Sequence, residues 1–397
     1  MSTYDAVVVG ARCAGSIVGG LLARAGWKVL IVDKATFPSD TVSTHFMFPN
    51  TLERLDSLGI LDRIHSKHDV PPLMIHWTIL GHELATKWTP FGPHSTGISV
   101  RRISLDQIFV DWAGDAGAEL RTGAKVGGTI GSGSEEDPLR GVVLEGGEEI
   151  RARWVIGADG RASTIANLLG LEKEETMTGE QAYLLAYWRG LPRREFSSLE
   201  VKERTALMWQ ESEDGIHLIS VAGPREISRG SNAQREKVYA DGIAAFPEVI
   251  DAATIEKADR VSDLIVVPET MLRGFFRRSD GPGWVLVGDA GHFKHPSTAQ
   301  GISDAIEQAI FVAESLQDED LSGYDEWRRK RSQGHYEWSF LYGSWPNPEV
   351  AHPYLKGLAG DPEALQDWAD VFTRRKRPKD VDTAERLGRW FSTPAST

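Results

Sequence analysis

The sequence predicts an α/β protein in which a Rossmann-like nucleotide-binding domain is interleaved with a β-sheet domain and followed by a C-terminal helical segment. Three observations carry that prediction. Residues Tyr4 to Lys34 run through strand, glycine turn, helix and strand. Two later stretches, GADGRAS around Asp159 and VGDAG around Asp289, also end short apolar runs in Gly or Asp. Between them lie proline-interrupted segments with strand-like alternation.

The first unit sets the chemistry. Ala6 to Val9 reads as a buried strand, Gly10 to Gly15 as a tight turn, Ser16 to Ala25 as a small-residue helix, and Val29 to Val32 as a strand delivering Asp33. Such a turn aims backbone N–H groups and the positive end of a helix at a pyrophosphate, and the carboxylate accepts hydrogen bonds from a ribose. Arg12 stands where the GxGxxG pattern has its second glycine. A Cβ is tolerated there if φ stays negative, and the guanidinium either reaches over the phosphates or points to solvent. Cys13, next to it, lies near a helix N-terminus, which lowers a thiol pKa. A small residue filling a tight turn is the simpler reading of it.

The chain then alternates between two patterns. A turn-rich loop carries His45, and Thr51 to Ile64 is expected as one helix with Leu52, Leu55, Leu58 and Leu61 on a single face. Pro71 to Ile98 is an excursion with two short strands, MIHWTIL and HELATKW. Arg101 to Gly117 returns to helix, and GVVLEGG with EIRARWVIGADG forms a hairpin-like return ending at Asp159. From Gln181 to Val267 the strands AYLLAYWRGL, ALMWQES, GIHLISVAG and DLIVVPE surround a helix at Asn232 to Phe246. A last strand, Val285 to Val287, meets Asp289, a loop with Pro296 and Gly301, and a helix burying Ile302, Ile306, Ala309, Ile310 and Ala313. The Trp-rich remainder is helix-compatible and reads as a cap.

Bulk properties exclude several classes. The chain has 397 residues and a formal net charge of -13, which argues against nucleic acid or an anionic membrane as partner. One cysteine excludes an intrachain disulfide framework, and no apolar run approaches the roughly 20 residues that span a bilayer. A cytoplasmic protein is expected. His76, His82 and His94 lack ligand spacing, so no metal is assigned.

The three motifs, GARCAG, GADGRAS and VGDAG, occur in the order and at separations that resemble the FAD-dependent monooxygenases and oxidoreductases with the p-hydroxybenzoate hydroxylase fold. That resemblance implies FAD-binding roles for Gly10, Arg12, Cys13, Ala14, Gly15, Asp33 and Lys34 at the ADP half. It places Arg102, in an RxxLD helix, by the flavin or its ribityl chain, Val126 by the adenine, and Asp159 in a DG motif linked to FAD and pyridine nucleotide. Asp289 matches the acid that bonds the ribityl chain, and Pro296, Gly301 and Ile302 match the loop and helix start beside the isoalloxazine. The chain departs from the pattern at Arg12 and at Ala166 and Asn167, where an arginine commonly follows the DG motif. The expected domains are 1–70, 100–180 and 275–345 for FAD, 71–99 and 181–274 for substrate, and 346–397 for the cap.

The resemblance implies an FAD-dependent, NAD(P)H-consuming monooxygenase that hydroxylates a small aromatic or polycyclic molecule with molecular oxygen through a flavin hydroperoxide. Candidate pocket residues are His45, Tyr187, Trp209, His217 and His292; an aromatic stripe in a sheet is more often core than pocket wall. The alternatives are a reductase or desaturase of the geranylgeranyl reductase type, sharing fold and cofactor motifs, and a non-catalytic flavin-binding protein. A halogenase is disfavoured by the absence of a WxWxIP segment.

Overall fold

The computed structural model describes residues 3–267 and 269–392. Residues 1 and 2, Pro268 of the expected DLIVVPE strand, and residues 393–397 of the expected cap lie outside the described residues. In chain order, β1 (Thr3–Val9) leads into α1 (Cys13–Arg24) and β2 (Val29–Asp33). Two helices follow, α2 (Pro49–Ser57) and α3 (Ile60–Lys67). They replace the single helix expected over 51–64, because Gly59 at φ 70° turns the chain left-handed between them. Leucines at a helical spacing continue across the break, which is why the pattern hides it.

The excursion forms β3 (Met74–Ile79) and β4 (His82–Thr86). After α4 (Arg102–Asp115) come β5 (Glu119–Thr122), β6 (Val126–Thr129), β7 (Gly141–Leu144) and β8 (Glu149–Gly157). The short helix α5 (Thr164–Leu168) follows the Asp159 turn. Next are β9 (Gln181–Arg189), β10 (Phe196–Lys202), β11 (Thr205–Glu211), β12 (His217–Pro224) and α6 (Asn232–Ala244). The chain returns with β13 (Trp284–Leu286) and α7 (Gly301–Gln317), then α8 (Tyr324–Tyr342), α9 (Pro348–Ala359), α10 (Pro362–Phe372) and α11 (Ala384–Ser392).

Two sheets organise the molecule. In the first, β13, β8, β1, β2 and β5 run parallel, so that Val285, Ile156, Val8, Ile31 and Leu120 lie abreast. Strands β2 and β13, β1 from Ala6 and the end of β8 are nearly continuous apolar runs because both faces are covered there, whereas β5 at the edge is mostly polar. One face carries α1 and α7, where Ile17, Val18 and Leu22 share a core with Ile306, Ala309 and Val312. All three fingerprint motifs therefore follow the carboxyl ends of neighbouring parallel strands, the edge at which open α/β sheets bind ligands.

The second sheet runs β9, β12, β11, β10, β3, β4, antiparallel except for β10 beside β3. Strand β10, unread in the sequence, is the splice by which the early excursion joins the later strands: Leu199 lies opposite Trp77 on one side and Met208 on the other. Its two serines and two charged residues dilute the apolar alternation. One face of this sheet packs on Tyr239, Ile243 and Phe246 of α6 and its exit. The helices after α7 pack Trp338, Leu358, Trp368 and Phe372 against Trp77 and Trp88.

Candidate functional site

The turn after β1 is built so that backbone can approach a ligand. Gly10 has φ 106°, and a Cβ there would fall 2.4 Å from the Ala158 carbonyl oxygen. A Cβ on Gly15 would fall 1.7 Å from the oxygen of Gly10, so only glycine closes this turn. Among the described residues no side chain caps the N-terminus of α1, and its first turn holds no acid. Those N–H groups are the donors that a pyrophosphate takes. Asp33 holds the turn from below, its Oδ2 accepting Ala11 N–H at 2.7 Å and its Oδ1 accepting Ala35 N–H at 2.8 Å.

Arg12 neither covers the turn nor points away. Its guanidinium forms an ion pair with buried Asp106 and donates to Ser39, bonding Oγ at 2.9 Å and the carbonyl at 3.2 Å. Asp106 also receives Arg102 at 2.8 Å, so one carboxylate anchors two guanidiniums beside the phosphate turn. Arg102 is held still more firmly protonated: burial opposes its charge, but Cys13, Asp106 and Asp289 favour it. Cys13 is buried against Asp106, and burial pushes its thiol up to about 12, overriding the helix N-terminus. It is packing, not a reactive thiol.

A cavity of about 1290 Å³ gathers these parts. It is lined by Gly10, Arg12, Cys13, Ala14, Asp33, Lys34, Arg102, Val126, Asp159, Asp289, Pro296, Gly301 and Ile302. Gly15 lies behind the wall, where it permits the turn. Asp159 accepts Ile165 N–H at 3.3 Å and Thr164 N–H, while its buried Oδ1 has no partner among the described residues. Burial raises Asp289 to about 6 even though Arg102 opposes the shift. Gln300 precedes α7, and its side chain turns away to donate to the carbonyls of Val371 at 3.2 Å and Phe372 at 3.0 Å. The α7 N-terminus is thus uncapped and faces the cavity at Gly301 and Ile302.

This donor set fits FAD. An uncapped helix start would suit the diphosphate, an acid with an open oxygen and a second acid with a raised pKa would suit hydroxyls, and a second helix dipole would suit an electron-rich ring. Among the described residues the Asp159 Oδ1 and the N-termini of α1 and α7 have no side-chain partner.

Of the five pocket candidates, His292 lines the cavity. Gln308 bonds its Nδ1 at 3.3 Å, Asp304 lies 3.5 Å from its Nε2, and burial lowers it to about 4. Beside it Lys294 meets Asp304 at 2.6 Å and donates to Gln300 at 3.0 Å. Burial lowers that lysine to about 8. Burial works to raise Asp304, yet Arg374 and Lys294 hold its carboxyl well below the usual range.

His45 and Tyr187 bond each other, Nε2 to phenol, next to the cavity wall formed by Thr44 and Phe46. Trp209 and His217 lie elsewhere, bonded at 3.2 Å on the α6 face of the second sheet. The period-2 alternation of strands explains the split: Ala206, Met208 and Gln210 face the cavity while Leu207 and Trp209 face α6. Residues not singled out from sequence build the rest of the chamber, chiefly Phe46, Phe48, Ile75, Trp77, Tyr183 and Leu199. The odd-numbered apolar positions of MIHWTIL were the available signal. Among the described residues no helix is long and apolar enough to cross a membrane.

Comparison with known proteins gives the same cofactor. A family model described as "FAD binding domain" matches residues 3–334. The chain is 28% identical over 333 residues to menaquinone reductase of Mycobacterium tuberculosis, covering 80% of this chain and 78% of that one. It is 27% identical over 339 residues to 6-methylpretetramide 4-monooxygenase of Streptomyces rimosus, covering 80% and 77%. The solved structure of the flavin-dependent brominase Bmp2 superposes with a TM-score of 0.73 at 17% identity, over 98% of both chains, a likeness of fold. With that family match spanning the phosphate turn, the Asp159 turn and the Asp289 loop, the chain belongs to the FAD binding domain family and is an FAD-dependent oxidoreductase with the p-hydroxybenzoate hydroxylase fold.

Proposed function

We propose that the protein is a monooxygenase that consumes NAD(P)H and molecular oxygen and hydroxylates a small aromatic or polycyclic molecule. The observation that carries the reading is the continuity of one cavity from the polar turn at Gly10 to an aromatic chamber at Phe48, Trp77 and Tyr183. Its volume of about 1290 Å³ exceeds the roughly 300–1,000 Å³ of a single-ligand pocket, which supports a cofactor and a second molecule side by side. Bound FAD supplies hydride acceptance and oxygen activation, the chemistry that no side chain here provides.

The chain's own residues position and shield. The α1 N-terminus, Asp33 and Val126 hold the ADP half, and Asp159 and Asp289 accept hydroxyl hydrogen bonds. The α7 N-terminus stabilises negative charge on the ring system. Lys294, lowered to about 8 and tied to Asp304, is placed to hold or give up a proton at Nζ near neutral pH. Apolar walls exclude water from the reacting end.

A second reading has its own support in the similarity to a menaquinone reductase: NAD(P)H would then reduce a carbon–carbon double bond with no oxygen incorporated. The experiment that separates them starts from the visible spectrum of purified protein and continues with NADH and NADPH titration and a ligand panel under labelled oxygen. A hydroxylated product carrying the label supports the first reading. A reduced, unlabelled product replaces it with the second, and a flavin that bleaches with neither nicotinamide removes both.

A further inference from the structure

We propose that the molecule held beside the cofactor site is an apolar compound carrying a protonated nitrogen, and that Asp382 is the counter-charge that recognises it. The inference rests on the reading of this cavity as a substrate site, and it names the substrate's chemistry.

Asp382 lies two residues before α11 and lines the cavity. It is not needed as a helix cap, because Thr383 Oγ1 accepts the Arg386 N–H at 3.3 Å. Its Oδ1 accepts the Tyr354 hydroxyl at 2.9 Å. Burial raises the carboxyl above its usual range, and the tyrosine bond is what draws it back. Among the described residues no cation pairs with it.

Asp33, Asp159 and Asp289 also line the cavity without an ion pair among the described residues, but at the end read as the cofactor site, and two further acids beside it have cations of their own. Asp106 has Arg12 and Arg102, and Asp304 has Lys294 and Arg374. The cavity's other cations, Lys34, Lys125 and Arg161, come from the turns at the carboxyl edge of the first sheet. The part of the cavity built by the second sheet and by α8 to α11 carries Asp382 as its formal charge, with the remaining side chains neutral and mostly apolar. A carboxylate partly removed from water without a counter-ion is costly, and an incoming cation removes that cost.

The surroundings suit a cation with an apolar body. Tyr342, Trp345, Tyr354 and Phe391 line this end, and aromatic faces attract ammonium groups. The rim is apolar and open: Leu341, Val350 and Phe391 are 67%, 55% and 47% exposed, and all three line the cavity. An amine with a hydrocarbon body would cover that rim while its nitrogen meets Asp382.

The test uses two probes of equal shape, benzyltrimethylammonium and its uncharged carbon isostere neopentylbenzene, titrated calorimetrically into the full-length protein as purified. FAD content is read separately from the visible spectrum. The wild type is expected to bind the cation at least tenfold more tightly than the isostere. Asp382→Asn should abolish that preference, whereas Asp382→Glu should keep most of it. Val350→Lys, at an exposed rim position, should weaken the cation at least threefold and leave the isostere unchanged. No preference in the wild type, a preference that survives Asp382→Asn, cation binding untouched by Val350→Lys, or failure of both probes to bind would each overturn the proposal. Absence of FAD would instead count against the reading of the cofactor site, independently of the probe ratio.

Discussion

Asp106 stands one helical turn after Arg102 on α4 and meets it at 2.8 Å, while Arg12, arriving from the phosphate turn, takes the other carboxylate oxygen. A residue that breaks the glycine pattern is therefore bound into the frame that positions the turn. Asp106 is fully buried. Asp106→Ala should leave two guanidiniums without their shared anion, and removing one partner of a buried pair costs about 3–5 kcal/mol. The expected outcome is a large drop in the unfolding midpoint and loss of copurified FAD, read by thermal melts and the 450 nm band. Asp106→Asn, which keeps the shape, should lose less. Equal stability in all three proteins would refute the anchoring role.

Two glycines separate fold from ligand. Gly15→Ala would place a Cβ 1.7 Å from the Gly10 oxygen and should give protein without FAD, or no folded protein. A Cβ on Gly301 meets nothing within 4 Å, so Gly301→Ala should melt like the wild type as apoprotein. Because Gly301 fronts the cavity, the same change should still weaken FAD, by about tenfold or more for a methyl intruding on a fitted ring. A Gly301→Ala protein with undiminished FAD affinity would place the flavin elsewhere.

Five buried histidines dictate the response to acid. Burial lowers His45 and His295 to about 3, His217 and His292 to about 4, and His335 to about 2. Their folded values lie below the unfolded 6.5, so the unfolded chain binds more protons and stability falls as pH drops below about 6.5. Each contributes a slope of on the order of 1.4 kcal/mol per pH unit in that window. Asp289 acts in the opposite sense. Its folded value, about 6, lies above the usual 3.8, so its contribution is present at low pH and is lost as pH rises through 6. Urea melts of apoprotein from pH 5 to 8 should rise steeply and then flatten. The difference between wild type and Asp289→Asn should change across pH 4 to 6; a constant difference would contradict the assignment.

His45 sits at φ 60°, a conformation that costs a non-glycine residue free energy and that clusters at functional sites. Its Nε2 is bonded to Tyr187, and its Nδ1 has no partner among the described residues. Tyr187→Phe should therefore destabilise the protein by about 1–3 kcal/mol, the cost of a buried polar atom left unpaired. Because Thr44 and Phe46 line the cavity, the same variant should also lower turnover by letting that segment relax. Asn at position 45, which tolerates positive φ, should retain more stability than Leu does. The comparison is a set of denaturant melts.

The first sheet was legible because a parallel strand buried on both faces writes a continuous apolar run, and Ala6–Val9 and Val285–Val287 are such runs. The carboxyl-edge residues followed from those strands. The second sheet was harder. Strand β10 hides behind Ser197 and Ser198, and which of Met208 or Trp209 faces the ligand depends on a register that one strand does not encode. Arg12 could not be read either, since its partners, Asp106 and the loop at Ser39, meet it only through the fold. The ion cluster of Lys294, Asp304 and Arg374 joins positions up to 80 residues apart in sequence, with no local pattern to announce it.

The pairing of β10 with β3 has a consequence for how the chain comes into being. Met74 must wait for Phe196 to leave the ribosome before its strand finds a neighbour there, and Val155 must wait for Trp284. Neither sheet is finished when synthesis is half done. The nascent chain thus carries exposed strand edges through most of its elongation, and the two halves are committed to acquiring their native shape together.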